Sequence, residues 1–246
     1  DVYKRQQADD GVIRIGFITD MSGLSADADG PGGAEAIKMA IADFGGSVAG
    51  KKIEVLVADH QNRADIASSR AREWLDQKGV NMLIAGANSA AALAMAKVAE
   101  EKKTPFFVVS AGASELTNSQ CTPYTVHYVY DTVSLARGTA RAMLKEGNKD
   151  WFFLTVDHAF GQALERDASA VVTADGGTVK GRVRHPLNTA DFSSFILQAQ
   201  ASGATVLGLA NSANDTSNAV KAAAEFGLTP KMKIAGLLVP VSYTHL

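Results

Sequence analysis

The chain has 246 residues, a formal net charge of -2 and 46% hydrophobic residues, which is enough for two ordinary domains with sizeable cores. This near-neutral charge gives no reason to expect a nucleic acid or an anionic membrane surface as a partner. No apolar run approaches the ~20 residues that span a bilayer, and the single cysteine, Cys121, excludes a disulfide within the chain.

Short apolar and β-branched segments alternate with helical patterns along the chain. Glycines such as Gly79 and Gly147 stand where helices should end. Strict alternation of strands and helices predicts an α/β protein with parallel sheets and right-handed crossovers. The predicted strands are 13–18, 53–58, 81–85, 106–110, 125–129, 152–156, 178–184, 205–209 and 233–239.

The same alternation of strands and helices begins twice along the chain. The segment VIRIGFITDMSG (12–23) opens one series of strands and helices, and WFFLTVDHAFG (151–161) opens another. The segment NSQCTP (118–123) has turn residues without periodicity. We therefore predict two doubly wound parallel-sheet lobes, an N-terminal lobe over 12–120 and a second lobe over 121–239, with a ligand cleft between them.

The two ends read as artefacts. Residues 1–6 (DVYKRQ) and 241–246 (VSYTHL) are translations of one transposon-end DNA sequence and of its reverse complement. Both hexapeptides are therefore interpreted as scars of a sequencing adapter. We accordingly expect an interior fragment in which the first lobe lacks its C-terminal part.

Two loops that follow predicted strands of the first lobe combine small residues with hydroxyl groups. GANSA (86–90) contains Asn88 and Ser89, and SAGAS (110–114) contains Gly112 and Ser114. Free backbone N–H groups at a helix start favour an anion, and the serines could bind a carboxylate. The alternative is that these residues only cap helices.

The second lobe offers two comparable loops. DHAFG (157–161) contains His158 and Phe160, and ANSAND (210–215) contains Asn211. Ligands of open α/β sheets bind beyond the carboxyl ends of the strands, so these residues could form the opposite wall. Alternatively, His158 is a solvated loop residue and Phe160 joins the core.

Signals for catalysis and for cofactors are lacking in the sequence. Neither a dinucleotide-binding glycine motif nor a phosphate-binding loop is present, and no nucleophile elbow or zinc-protease motif occurs. The histidines do not have ligand spacing. We therefore expect no enzyme activity, no cofactor and no metal site.

Several segments in order resemble a known family. The segments IRIGFITDMSG, GGAEAIKMAIADFG, KKIEVLVADHQN, SAGASELT, WFFLTVDHAFGQALE and RHPLNTADFSSFILQAQASGA resemble type I periplasmic solute-binding proteins of the leucine/isoleucine/valine-binding group, which serve ABC transporters. The resemblance covers about 12–239. The residues at TDMSG, ADHQN and DHAFG look more like those of a subgroup associated with varied carboxylates, including aromatic acids.

The resemblance implies a function. It suggests an extracytoplasmic, periplasmic receptor that captures a small carboxylate and delivers it to a membrane permease. The loops matching Ser89, Gly112 and Ser114 would grip the ligand's polar groups, and Phe160 stands where branched-chain amino acid binders have a tyrosine. Capture would involve no chemistry, and we expect a monomer. The alternatives are the ligand-sensing domain of a receptor or regulator, and an enzyme on a similar scaffold.

Overall fold

A computed structural model describes residues 11–239, so the predicted scars at 1–6 and 241–246 lie outside the described residues. The chain forms two compact units. Unit 1 comprises residues 11–111 and Glu115–Val129, and unit 2 comprises Gly112–Ser114 and residues 130–239. Within residues 11–239, no helix is both long and apolar enough to cross a bilayer.

Unit 1 is built on a largely parallel sheet with the strand order β2-β3-β1-β4-β5-β6. Only β2 runs antiparallel to its neighbour, β3. The strands are β1 (Val12–Thr19), β2 (Ser47–Val48), β3 (Lys51–Asp59), β4 (Val80–Ala85), β5 (Phe106–Val108) and β6 (Thr125–His127). The helices are α1 (Ala26–Asp29), α2 (Pro31–Asp43), α3 (Ala64–Gln77) and α4 (Ser89–Lys102), followed by a 3₁₀ turn over Ser114–Leu116.

The two faces of this sheet are covered unequally, because side chains alternate between the faces along each strand. On one face, helices α3 and α4 bury a large cluster that includes Ile18, Leu83 and Trp74. On the other face, the buried cluster consists of Phe17, Ile84 and Ala34 of helix α2, with partly buried residues around it. The first face therefore provides most of the core of unit 1.

Unit 2 is a wholly parallel sheet with the order β10-β9-β7-β8. Helices α5 and α6 cover one face and helices α7 and α8 the other, with buried clusters of comparable size on both faces. The strands are β7 (Asp150–Val156), β8 (Thr178–His185), β9 (Val206–Ala210) and β10 (Lys233–Gly236). The helices are α5 (Thr132–Lys145), α6 (Ala159–Ala174), α7 (Ser193–Ala201) and α8 (Ala213–Glu225).

Strand β8 lies at one edge of this sheet and carries a row of basic side chains. Arg182 pairs with the buried carboxylate of Glu165 on α6 at 3.0 Å. Lys180 and Arg184 form longer ion pairs with Asp150 (3.4 Å) and Asp157 (3.5 Å). This row therefore stands in register with acids of the neighbouring strand, loop and helix.

The predicted strands are all present, and the α/β class with parallel sheets is confirmed. The lobe boundary differs from the one predicted at 120/121. Residues Thr125–His127 form β6 in the sheet of unit 1, where Phe106 lies opposite Thr125. The turn-rich segment 118–123 is a loop within unit 1, because a strand's partner is set by tertiary pairing that the local sequence does not encode.

Candidate functional site

The carboxyl ends of the strands in unit 1 carry a polar network around Asp20. This buried carboxylate follows β1 and accepts hydrogen bonds from the backbone N–H groups of Gly23 and Ser25, both at 2.8 Å, and from Asn62 Nδ2 at 2.5 Å. Hydrogen bonds that a carboxylate accepts are among the stronger ones in proteins. Asp20 therefore holds the loop after β1 in place.

Asn88 and Ser89 stand at the start of α4. The side chain of Asn88 accepts a hydrogen bond from Ala91 N at 3.0 Å and so caps the helix. Its Nδ2 donates to the backbone oxygen and to Oδ1 of Asn62, at 3.2 Å each. Ser89, the first residue of the helix, is 1% exposed. The capping interpretation of this loop is therefore confirmed for Asn88.

Asp29, at the end of α1, places a second carboxylate beside these strand ends. Its Oδ1 accepts a hydrogen bond from Thr19 Oγ1 at 2.8 Å. Burial raises the pKa of Asp29, while hydrogen bonds from Thr19, Ser110 and the Ala87 backbone work in the opposite direction. The Asp29 carboxyl group therefore offers a hydrogen-bond acceptor at these strand ends. Sequence reasoning missed this role, because it depends on three distant segments meeting.

In unit 2, Gly112 and Ser114 are hydrogen-bonded to the start of α5 and to the middle of α6. Thr132 N donates to the Gly112 carbonyl at 2.8 Å, and Ser114 N donates to Thr132 Oγ1 at 3.1 Å. The Ser114 hydroxyl donates to Asp167 Oδ2 at 2.8 Å and accepts from Arg166 Nη2 at 2.8 Å. Both residues, which were predicted to belong to the first lobe, are therefore packed within unit 2.

An aromatic surface lies against Gly112. A β-carbon at this glycine would stand 3.1 Å from Tyr130 Cε2 and 3.3 Å from Phe160 Cε2, so only glycine allows both rings to approach so closely. Phe160 is 9% exposed and packs into the core of unit 2, whereas Tyr130 is 41% exposed. Tyr130 was missed in the sequence, where it lies outside the predicted loops.

His158 caps helix α6, since its Nδ1 accepts a hydrogen bond from Phe160 N at 3.3 Å. Burial lowers the pKa of His158 and so favours the neutral ring that a cap acceptor requires. His158 is thus only partly accessible, rather than a solvated loop histidine. The structure brings His158, Phe160 and Gly112 together in unit 2.

Asn211 is fully buried at the end of β9. Its Nδ2 donates to His185 Nε2 at 3.2 Å, and its Oδ1 accepts from Thr216 Oγ1 at 2.9 Å. Asp215, also buried, accepts the backbone N–H groups of Asn188 and Thr189 at 3.1 and 2.9 Å. These hydrogen bonds fix the loops after β8 and β9. Both polar atoms of the Asn211 side chain are thus used within unit 2.

Over residues 11–239, the His, Cys, Asp and Glu side chains form no group of three or more that could hold a metal ion. The described strand ends instead present backbone N–H groups, hydroxyls, aromatic rings and two buried acids. Such an arrangement can bind a small polar molecule and offers no evident set for covalent chemistry.

Comparison with known proteins gives a consistent result. The sequence model of a family described as periplasmic binding protein matches residues 12–244. A crystal structure of a periplasmic binding protein from Burkholderia mallei is 63% identical, with a TM-score of 0.91, and covers 93% of this chain and 61% of its own. A solute-binding protein of an ABC transporter from Rhodopseudomonas palustris BisB5, in complex with 3,4-dihydroxybenzoic acid, is 29% identical, with a TM-score of 0.79 and coverage of 91% and 61%.

A curated relative, Leu/Ile/Val-binding protein homolog 6 of Brucella abortus, is 29% identical over 195 residues, which are 78% of this chain and 49% of the relative. The chain thus spans about half the length of this curated relative. The predicted resemblance and the predicted fold are both confirmed, and the family comprises solute-binding proteins rather than enzymes. The chain belongs to the periplasmic binding protein family.

Proposed function

We propose that the whole protein is the substrate-binding component of an ABC importer, which captures a small carboxylate in the periplasm and passes it to a membrane permease. The family match over nearly the entire chain is the observation that carries this proposal. The relatives support the ligand class, since one is described as a Leu/Ile/Val-binding homologue and another holds 3,4-dihydroxybenzoic acid.

Within unit 2, the ligand's apolar body would lie on the aromatic surface formed by Gly112, Tyr130 and Phe160. Tyr130 supplies the exposed part of this surface, and a stacked ring or an aliphatic side chain would bury apolar area against it. His158 would support the wall from the start of α6. Asn211 would serve by positioning its loop, because both its amide atoms are already bonded internally.

Within unit 1, the start of α4 at Ser89 would receive a polar group of the ligand. The carboxyl group of Asp29 accepts a hydrogen bond beside these strand ends, which favours a hydrogen-bond donor of the ligand over another acceptor at this position. An amino group or a phenolic hydroxyl would satisfy this preference. The ligand would then be a small acid that also carries a hydrogen-bond donor. The receptor would be a monomer, and it would release the ligand chemically unchanged.

The test is calorimetric titration of the whole protein with leucine, valine and 3,4-dihydroxybenzoate. We expect saturable binding of at least one of them, and about tenfold weaker binding for Tyr130→Ala, which removes the exposed ring. Tyr130→Phe keeps the ring and should bind within about twofold of the parent.

Tyr128→Ala is a matched control, because Tyr128 is 80% exposed two residues earlier and belongs to unit 1. Its affinity should not change. Absence of binding to all three compounds would contradict the proposed function, and an unchanged affinity for Tyr130→Ala would remove Tyr130 from the site.

A further inference from the structure

The short segment Gly112–Ser114 has an unusual place in the chain. The residues on both sides of it, Ala111 and Glu115, belong to unit 1, yet the segment itself makes its contacts with unit 2. Gly112 and Ala113 have no regular secondary structure and Ser114 only begins the 3₁₀ turn, so the segment has little intrinsic preference for one conformation. Something in unit 2 must therefore hold them.

Thr132, the first residue of α5, contacts the segment at two points. Its backbone N–H donates to the Gly112 carbonyl at 2.8 Å, and its Oγ1 accepts from Ser114 N at 3.1 Å. The Thr132 side chain is fully buried, as is nearly all of Ser114. Thr132 thus bonds the backbone at both ends of the segment.

Asp167 on α6 closes the arrangement. Its Oδ2 accepts from both Ser114 Oγ (2.8 Å) and Thr132 Oγ1 (2.6 Å), and its Oδ1 accepts from Arg166 Nε at 2.9 Å. The Asp167 side chain is 12% exposed, so little water competes for these bonds. Hydrogen bonds to a carboxylate are stronger than those between neutral groups.

This geometry also fixes the direction of each hydroxyl group. A hydroxyl carries a single hydrogen, and that of Ser114 is directed to Asp167, while Arg166 donates to the same oxygen. The position of Ser114 in SAGAS suggested that its hydroxyl binds a ligand carboxylate. The hydroxyl has no second hydrogen to donate to such a carboxylate. Its part in binding must be indirect.

We propose that Thr132 and Asp167 are positioning residues for ligand binding, which hold Gly112–Ser114 on helices α5 and α6 and so keep Gly112 against Tyr130 and Phe160. Ser114 is the residue whose hydrogen bonds to Thr132 and Asp167 keep the loop in place. The inference rests on the proposed function, because it assigns these residues to the same binding surface.

The test compares Thr132→Val, which keeps the shape but removes the hydroxyl, with Thr132→Ser, which retains it. Asp175→Asn is the matched control, because Asp175 follows α6 and also pairs with α5, through Arg141 at 3.0 Å, far along the helix from the segment. Each variant of the whole protein is titrated with whichever of leucine, valine and 3,4-dihydroxybenzoate binds the parent protein. Backbone hydrogen exchange is measured without ligand.

We expect Thr132→Val to weaken binding about tenfold and to speed exchange of the Ser114 amide about tenfold, because that amide loses its acceptor. Thr132→Ser and Asp175→Asn should stay within about twofold of the parent in both measurements. Unchanged exchange at Ser114 in Thr132→Val, or equal losses in Thr132→Ser, would overturn the inference. If none of leucine, valine and 3,4-dihydroxybenzoate binds, the proposed function fails, while the exchange measurement still decides whether Thr132 holds the segment.

Discussion

The two units use the same building plan but cover their sheets differently. In unit 2, the central strand β7 is buried along six of its positions, with Phe152 and Leu154 on one face and Trp151 and Phe153 on the other. In unit 1, strand β3 is mostly half-buried, and Val57 is 37% exposed. The unequal burial follows from the helices that cover each sheet and also from composition, since β3 has four charged residues and β7 has one.

The largest expected effect concerns this difference in coverage. Phe153 is fully buried and stacks on Trp151 with ring centroids 5.6 Å apart, so Phe153→Ala should lower the free energy of unfolding by about 3–5 kcal/mol. Val57→Ala, on the thinly covered face of unit 1, should cost less than about 1 kcal/mol. Urea denaturation measures both. Equal losses of unfolding free energy would show that the core around β7 in unit 2 and the thinly covered face of unit 1 contribute alike to stability.

A smaller effect is expected where the strands of unit 1 end. A β-carbon at Gly86 would overlap Thr19 Oγ1 and lie 2.5 Å from Asp29 Oδ2, so Gly86→Ala should break the Thr19–Asp29 hydrogen bond. We expect a loss of about 1–3 kcal/mol in thermal or urea unfolding. Gly32→Ala in α2 is the control, because nothing lies within 4 Å of its β-carbon, and it should be neutral or slightly stabilising. A tolerated Gly86→Ala would mean that the strand ends are not tightly packed.

The smallest expected effect is on the pH dependence of stability, and it should come from two histidines of unit 2. Burial lowers the pKa of His158, and burial also lowers that of His185 against the opposing influences of Pro186 and Asp215. The unfolded chain, with histidine pKa values near about 6.5, then binds more protons than the folded one. The free energy of unfolding should therefore fall as the pH drops below about 6.5. The raised pKa of Asp215 acts in the opposite sense at lower pH.

His158→Asn tests this, because asparagine is also a good helix cap but does not titrate. Thermal unfolding between pH 7.5 and about 5.5 should show a shallower loss in this variant, by less than about 1 kcal/mol across the range. Identical pH dependence in the parent and the variant would exclude His158 as a source of the effect.

The strands and the parallel sheets could be predicted from the sequence, because short β-branched runs between helical patterns have few other solutions. The antiparallel β2 was missed, since two residues before the Ala49–Gly50 turn give no periodic signal, although both turn residues have positive φ. Asn88 as a cap was foreseen as an alternative. Local spacing therefore predicts elements and caps well.

The candidate site was predictable only in part, for a physical reason. Gly112, His158 and Phe160 were identified from loop position, and they do lie together in unit 2. Asp29, Thr132 and Asp167 were not, because each gains its importance from partners tens of residues away. Hydrogen bonds over such separations are a property of the folded chain and leave no pattern in neighbouring residues.

The basic row on β8 has a consequence for how molecules of this protein meet. An edge strand offers unpaired backbone groups to any other strand, which is a common start for aggregation. A second molecule docking its own β8 alongside would bring Lys180, Arg182 and Arg184 opposite like charges and away from their acids. The same side chains that pair with acids of β7, of the loop after it and of α6 thus oppose strand-to-strand polymerisation in crowded solutions of this protein.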